Sequence, residues 1–290
     1  MTQTHSPTHR PFRSVLYIPG DKPRALDKAR GLACDAIIFD LEDAVAPDAK
    51  EDARRILKGE LTKGGYGARF RLVRVNGLDT EWGRRDLVEL RDADFDALLI
   101  PKVSTGWDVE AAAELAGDKP LWAMMETPPA FINACEIASH TRMEGLVMGT
   151  NDLIKDLGCR VRADRLPLLT ALQTCVIAAR AARIPAIDGV YNAFKDDDGL
   201  RAECEQGRDF GFDGKTLIHP AQLAVTNEVF APSDEELDLA RRQIDAFEAA
   251  EAEGKGVAVL DGKIVESLHI VTARALLEKA ASIAAMGTVS

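Results

Sequence analysis

Positive charge is in short supply in this chain: 36 Lys and Arg stand against 47 Asp and Glu, for a formal net charge of −11. Nucleic-acid binding needs a basic surface against the phosphates, so no nucleic-acid partner is expected. Small anions remain admissible, because a local cluster of Lys and Arg overrides the global sign. Cysteine is also scarce, with 5 in 290 residues. Cys34, Cys135, Cys159, Cys175 and Cys204 stand far apart and form no C-x-x-C pair, so reduced, mostly buried thiols in a cytoplasmic protein are expected rather than a disulfide framework. No apolar run nears the roughly 20 residues that span a bilayer, and no membrane helix is expected. Residues 1–11 are polar and lack an apolar h-region, so they are expected to form a short flexible arm and not a secretory signal. No G-x-G-x-x-G follows the first strand, which argues against dinucleotide binding. A P-loop lysine pattern is missing too, as is any Ser/His/Asp set or Cys/His pair in a motif context.

What is present is alternation. Short apolar or β-branched runs at 14–18, 36–40, 71–75, 97–100, 121–125, 145–148, 185–188 and 216–218 are separated by stretches of helical spacing, such as 50–61, 108–115 and 166–182. Most of the runs are apolar throughout, as strands buried on both faces require. Eight strands with helices between them, in a chain that is 46% apolar, predict an α/β fold, a (β/α)₈ TIM barrel of about 250 residues. A doubly wound open sheet is the second choice. After His219 the pattern changes: Ser233 and Glu236 form a capping box, a long helix runs to about Glu253, and a short run at 257–260 meets the turn Asp261-Gly262. A final helix covers 268–285. The predicted organisation is an arm (1–11), a barrel (12–230), and a C-terminal helical lid and subunit-contact segment (231–290).

The residues that end the strands carry the chemistry. Asp40, Arg74, Lys102, Glu126, Asp152, Asp188 and His219 end or follow seven of the eight runs, and the carboxyl ends of barrel strands share one mouth. Glu126 and Asp152 leave adjacent buried strands at one level. Two carboxylates so close raise each other's pKa unless a cation lies between them, and hard oxygen ligands with open positions suit Mg²⁺. The competing account is a helix cap by Asp152 and a surface Glu126. Arg74 is a permanent cation able to hold an oxyanion, or else a structural partner of Glu42 or Asp43. Asp40, Glu42 and Asp43 can orient waters around a hydrated metal, or pair with Arg74 and Lys102. The turn "YIPGDKPRALDK" is locally basic through Lys22, Arg24 and Lys28 and lies beside a helix start, which makes it an anion site or plain solvated surface. His5, His9 and His140 are expected at the surface.

The motifs "RSVLYIPGDKPRALDKA", "DAIIFDLEDAVAPDAK", "VRVNGLDTEWG", "LIPKV", "METP", "GTNDL", "AIDGVY" and "GFDGKTLIHPAQ" follow one another over residues 13–222. Together with "VFAPSDEEL" and "VAVLDGKIVESLH", they closely resemble the citrate lyase β-subunit-like family, which includes malyl-CoA and citramalyl-CoA lyases. The resemblance implies a (β/α)₈ barrel, Mg²⁺ (with Mn²⁺ as a substitute), an acyl-CoA substrate, and a homo-oligomer, trimer or hexamer, whose C-terminal segment closes a neighbour's mouth. It also implies that Glu126 and Asp152 are metal ligands, that Arg74 steadies the thioester or enolate oxygen, and that Tyr17, Lys22 and Lys28 grip coenzyme A.

Three positions depart from the pattern of the lyases. Glu266 stands where many carry a lid Asp, "TPPAF" follows Glu126 where many have Arg and Gly, and Asn151 replaces an acid. With "VMGTNDL" and "AECEQGRDFGFDGKTLIHP", these marks resemble the branch that hydrolyses (3S)-malyl-CoA to malate and free CoA, with Glu266 as the base. The alternatives are carbon–carbon cleavage of malyl-CoA or citramalyl-CoA, and a citrate-lyase-like subunit that needs a partner.

Overall fold

The computed structural model describes residues 10–287, which divide into two compact units, Phe12–Phe230 and 231–287 with residues 10–11. Nearly all of the expected N-terminal arm, with His5 and His9, lies outside the described residues. In the first unit β1 (Ser14–Pro19), β2 (Ala36–Asp40), β3 (Phe70–Arg74), β4 (Ala97–Ile100), β5 (Leu121–Met125), β6 (Met143–Met148), β7 (Ala186–Asp188) and β8 (Gly214–Leu217) form a closed barrel in sequence order. All pairings are parallel, and β1 pairs with β8 to close the ring. The expected (β/α)₈ barrel is therefore the fold.

Strand edges move by a residue or two from the expected runs. β6 starts at Met143 because a register shift at Leu121/Trp122 brings Arg142 into reach, and the Leu121 N–H donates to its carbonyl at 2.9 Å. β3 ends at Arg74, although the Val75 N–H still donates to the Leu99 carbonyl at 3.2 Å.

Side chains alternate across each strand. Val15, Ala36, Ile38, Leu72, Ala97, Leu99, Trp122, Met124, Val147 and Ile187 fill the interior as one cluster. Their neighbours along the strands, among them Leu16, Ile37, Phe39, Val73 and Leu98, pack outward under the helices. Phe12, Phe70 and Trp122 plug the amino-terminal end, with ring centroids 5.2–5.7 Å apart. The plug leaves the carboxyl-terminal end as the place for a cavity. Gly145, on β6, faces the Trp122 indole so closely that a Cβ there would strike the ring.

The second unit has its own small core of Phe247, Ala250, Ala258, Val265 and Ile270. Its first helix, Asp234–Ala252, begins with the capping box: the Glu236 N–H donates to Ser233 Oγ at 3.2 Å, and the Ser233 N–H to Glu236 Oε2 at 2.7 Å. A hairpin follows, β9 (Ala258–Leu260) against β10 (Lys263–Val265). Its turn residues Asp261 and Gly262 both have left-handed φ (52° and 74°), the conformation a tight two-residue hairpin turn needs. Helix Ser267–Gly287 completes the unit. Among the described residues no helix is long and apolar enough to cross a membrane.

Gly145→Val should cost about 1–3 kcal/mol of stability, because the added methyl groups enter a filled aromatic plug. Urea unfolding of the variant beside the parent measures this, and an unchanged midpoint would contradict the packing argument.

Candidate active site

A cavity of about 340 Å³ opens at the carboxyl ends of the strands, and Tyr17, Asp40, Asp43, Arg74, Glu126 and Asp152 contribute to its wall. Asp40 and Arg74 end adjacent strands and are register partners, so both inward side chains arrive at one level. Arg74 Nε donates to Asp40 Oδ1 at 2.8 Å and Nη2 to Asp40 Oδ2 at 2.7 Å, a two-pronged clamp. Asp40 also accepts the backbone N–H groups of Glu42 (2.9 Å) and Ala44 (3.1 Å). With both oxygens doubly engaged, Asp40 orients Arg74 and has no lone pair free to act as a base.

The guanidinium lies 5.0 Å over the Tyr17 ring and is 6% exposed. Glu42 Oε2 is 2.8 Å from Nη1 but off the N–H direction, so it makes an ion pair without a hydrogen bond; Asp43 is reached at 3.4 Å. Burial opposes the charge on Arg74, but Asp40, with Tyr17 and Glu42, outweighs it and holds the group well above its ordinary value. Burial also pushes the Glu42 carboxyl up to about 8, with Arg74 opposing and Glu126, Asp43 and Asp40 adding to the rise. The Tyr17 phenol is raised, again chiefly by burial; its hydroxyl donates to Met124 Sδ at 3.5 Å.

Glu126 directly follows β5, and Asp152 sits in the first turn of helix Thr150–Leu157. Gly149 makes room for Glu126, since a Cβ there would meet its carboxylate. Between the two acids stands Lys102. Its backbone N–H donates to Glu126 Oε1 at 2.7 Å, and its ammonium contacts Asp152 Oδ2 and lies 3.5 Å from Glu126 Oε1. Burial raises the Glu126 carboxyl above its ordinary range, with Lys102 opposing. Two carboxylates thus share one cation. Among the described residues no three or more His, Cys, Asp or Glu side chains are grouped so that together they could hold a metal ion. A pair of hard oxygen donors with the remaining positions open to water and substrate is nonetheless the set that Mg²⁺ takes, so the residues fit that ion.

Two strand-end residues do not join the mouth. Asp188 falls on the outward side of β7, where Gly207 of helix Asp197–Phe210 packs against its carboxylate. There Arg165 Nη1 donates to both its oxygens (2.8 and 2.7 Å), and Lys215, its register partner on β8, lies 3.2 Å away with Glu203 beyond. His219 caps the short helix Pro220–Gln222: its Nδ1 accepts the Ala221 N–H at 3.1 Å, and its ring lies 4.6 Å from that of Phe194. His140 pairs with Glu110 at 2.9 Å.

Lys22 and Lys28 are exposed and do not line the cavity; Lys22 is paired with Asp21 at 2.6 Å. Glu266 belongs to the second unit, exposed just after β10, so the barrel unit does not itself bring it to Arg74. Sequence reasoning missed the place of Lys102 between the acids. The left-handed φ of 56° that aims its N–H at Glu126 leaves no mark in the residue types. It also missed the amide pair of Asn151 and Asn192 (2.8 and 3.4 Å) on the cavity rim.

An inward ring of ionisable groups at the carboxyl end of a closed parallel barrel defines a (β/α)₈ enzyme-type site. Residues 13–220 match the HpcH/HpaI aldolase/citrate lyase family, and the chain belongs to it. It is 66% identical over 275 residues to a (3S)-malyl-CoA thioesterase of Cereibacter sphaeroides, covering 95% of this chain and 96% of that one. It is 35% identical over 283 residues to the citrate lyase subunit beta of Escherichia coli, covering 93% and 94%. Among solved structures, CitE of Mycobacterium tuberculosis in complex with magnesium, acetoacetate and coenzyme A superposes with a TM-score of 0.80 at 30% identity, over 94% of this chain and 99% of that one.

Asp188→Asn should destabilise the barrel by about 3–5 kcal/mol, because it strips a buried pair of cations of their counter-charge. Burial alone would raise the Asp188 carboxyl, but Lys215 and Arg165 bring it below its ordinary value. Its contribution is therefore complete at neutral pH and is lost only as pH falls below about 3.9, the ordinary Asp value. Denaturant unfolding at pH 7 should show the loss, and an unchanged midpoint would remove the structural role.

Proposed function

We propose that this protein hydrolyses (3S)-malyl-CoA to malate and free CoA with a bound Mg²⁺, for which Mn²⁺ can substitute. The observation that carries this reading is a locked arginine beside a two-carboxylate cation site in one cavity of about 340 Å³, in a chain 66% identical to a (3S)-malyl-CoA thioesterase. A cavity of this size suits a small hydroxyacyl group, and the coenzyme A nucleotide would lie outside it, towards the basic turn of Lys22, Arg24 and Lys28. Tyr17 would stand where the thioester enters.

Glu126 and Asp152 would hold the metal. When bound, the ion supplies coordination for the substrate's free carboxylate and hydroxyl and draws their negative charge. Arg74 faces the thioester carbonyl and stabilises the oxyanion that forms when water adds. Asp40 fixes the guanidinium beforehand, so little reorganisation is needed as the charge develops. Glu42 lies against Arg74 and is suited to holding a water near it. Glu266, supplied by the C-terminal unit of a neighbouring copy in a trimer or hexamer, would take the proton from the attacking water. Collapse of the oxyanion breaks the C–S bond, and the CoA sulfur leaves as the thiol once protonated.

Purified protein with malyl-CoA and Mg²⁺, assayed for free thiol and glyoxylate in one sample, tests the reading. Thiol and malate without glyoxylate are expected; equal glyoxylate and acetyl-CoA without thiol would make the protein a carbon–carbon lyase instead. Turnover by the purified chain alone would also dispose of a partner-dependent subunit. Glu126→Ala and Asp152→Ala should abolish turnover, and full activity in either would sink the cation site. Arg74→Lys should lower kcat by about 100- to 1000-fold, a loss read from steady-state kinetics. Replacing Glu266 should lower kcat far more than coenzyme A affinity, and the reverse would remove its role as base.

A further inference from the structure

We infer that Lys102 is an internal counter-ion, which bridges Glu126 and Asp152 and which an arriving divalent cation must displace. The inference rests on the cation site proposed above and adds a residue with no assigned part in it. Three independent features meet at this position. The backbone of Lys102 is left-handed, with φ 56°, a conformation that costs a residue bearing a Cβ and that here aims its N–H at Glu126 Oε1, 2.7 Å away. The side chain of the same residue then returns over the acids, its ammonium against Asp152 Oδ2 and 3.5 Å from Glu126 Oε1. Thirdly, the three side chains differ in their access to water. Glu126 is 1% exposed, Asp152 30% and Lys102 40%.

These differences assign the parts. Glu126 is buried and doubly engaged by Lys102, so without a cation nearby its charge would face a large desolvation cost. Lys102 offsets that cost with a charge on a flexible stem already half in water, which can swing aside while the backbone N–H stays on Glu126. The N–H fixes one oxygen of Glu126 in either state; the ammonium occupies the space between the acids only until a dication replaces it. The other charged group that acts on the ammonium is Glu42, which favours its charge as the two ligands do. Lys102 is thus a positioning residue that acts through Glu126 and Asp152.

The test is Mn²⁺ affinity without substrate, read by electron paramagnetic resonance, together with thermal unfolding in chelator and in saturating Mn²⁺. Lys102→Met removes the ammonium at similar volume. Lys102→Gly removes it while suiting the left-handed backbone and keeping the N–H to Glu126. Both variants should bind Mn²⁺ more tightly than the parent, by up to roughly fivefold given the usual strength of an exposed ion pair. Both should melt lower than the parent in chelator and gain more on adding Mn²⁺. A merely structural lysine would give the opposite sign, since loosening the site weakens metal binding. Equal or weaker Mn²⁺ affinity in both variants would overturn the counter-ion while leaving the metal site in place. Absence of Mn²⁺ binding in the parent and the variants alike would overturn both. Should Lys102→Met fail to fold, Lys102→Gly decides alone.

Discussion

In a closed parallel barrel each strand sends every second residue inward, and the pairing register sets the height at which each one arrives. Everything at the mouth follows from that constraint. Tyr17, Asp40, Arg74 and Glu126 lie in phase with the interior residues Val15, Ile38, Leu72 and Met124, so they project into the cavity above the hydrophobic filling. Asp188 follows the interior residue Ile187 by one position and is turned out under a helix. The aromatic plug of Phe12, Phe70 and Trp122 closes the opposite end, which leaves polar side chains a single opening.

The same constraint crowds acid. Asp40, Glu42, Asp43, Glu126 and Asp152 stand near the cavity, and among the described residues the cations ion-paired to them are Arg74 and Lys102. Five carboxylates against two cations leave an excess of negative charge. Burial chiefly raises the Glu42 carboxyl to about 8, and against the opposing Arg74 the neighbouring acids Glu126, Asp43 and Asp40 add to the rise. A divalent cation between Glu126 and Asp152 would offset much of that excess. The chemistry of the donors and the charge balance therefore favour the same occupant.

The barrel was legible because buried parallel strands write themselves as apolar runs, and "AIIFD", "ALLI" and "LWAMM" are buried at every position. The capping box at Ser233 and the Asp261-Gly262 turn were legible too, since each depends on residue types at fixed offsets. The list of strand-end residues was only partly sound. Asp40, Arg74, Lys102, Glu126 and Asp152 do meet, but His219 caps a short helix and Asp188, one position past inward-facing Ile187, turns outward; β7 is too short for its hydrophobic pattern to reveal that phase. The alternative reading of Arg74, an ion pair with Glu42 or Asp43, is met by both acids. Its two-pronged partner is Asp40, also among the acids expected to pair with it, which the β2–β3 register sets directly beside it. Such cross-strand neighbours are a property of register, which residue types alone do not specify.

The two cations of the mouth are held in contrasting ways, and the contrast matches different tasks. Arg74 is planar, buried and clamped through two parallel hydrogen bonds by an acid that is itself tied to two backbone N–H groups. Such a charge is in place before the reaction begins, as stabilisation of a developing oxyanion requires. Lys102 has one fixed part, its N–H on Glu126, and one loose part, an ammonium at the end of a half-exposed stem. On the proposal made above, that charge would exchange with a divalent cation without disturbing the carboxylate beneath it. Exchanging the two residue types would lose both properties, since a lysine cannot make the two-pronged clamp and an arginine gives up its planar pairing less readily. The barrel thus sets a fixed charge beside a movable one, and on this view the chemistry of the site depends on the first and its loading on the second.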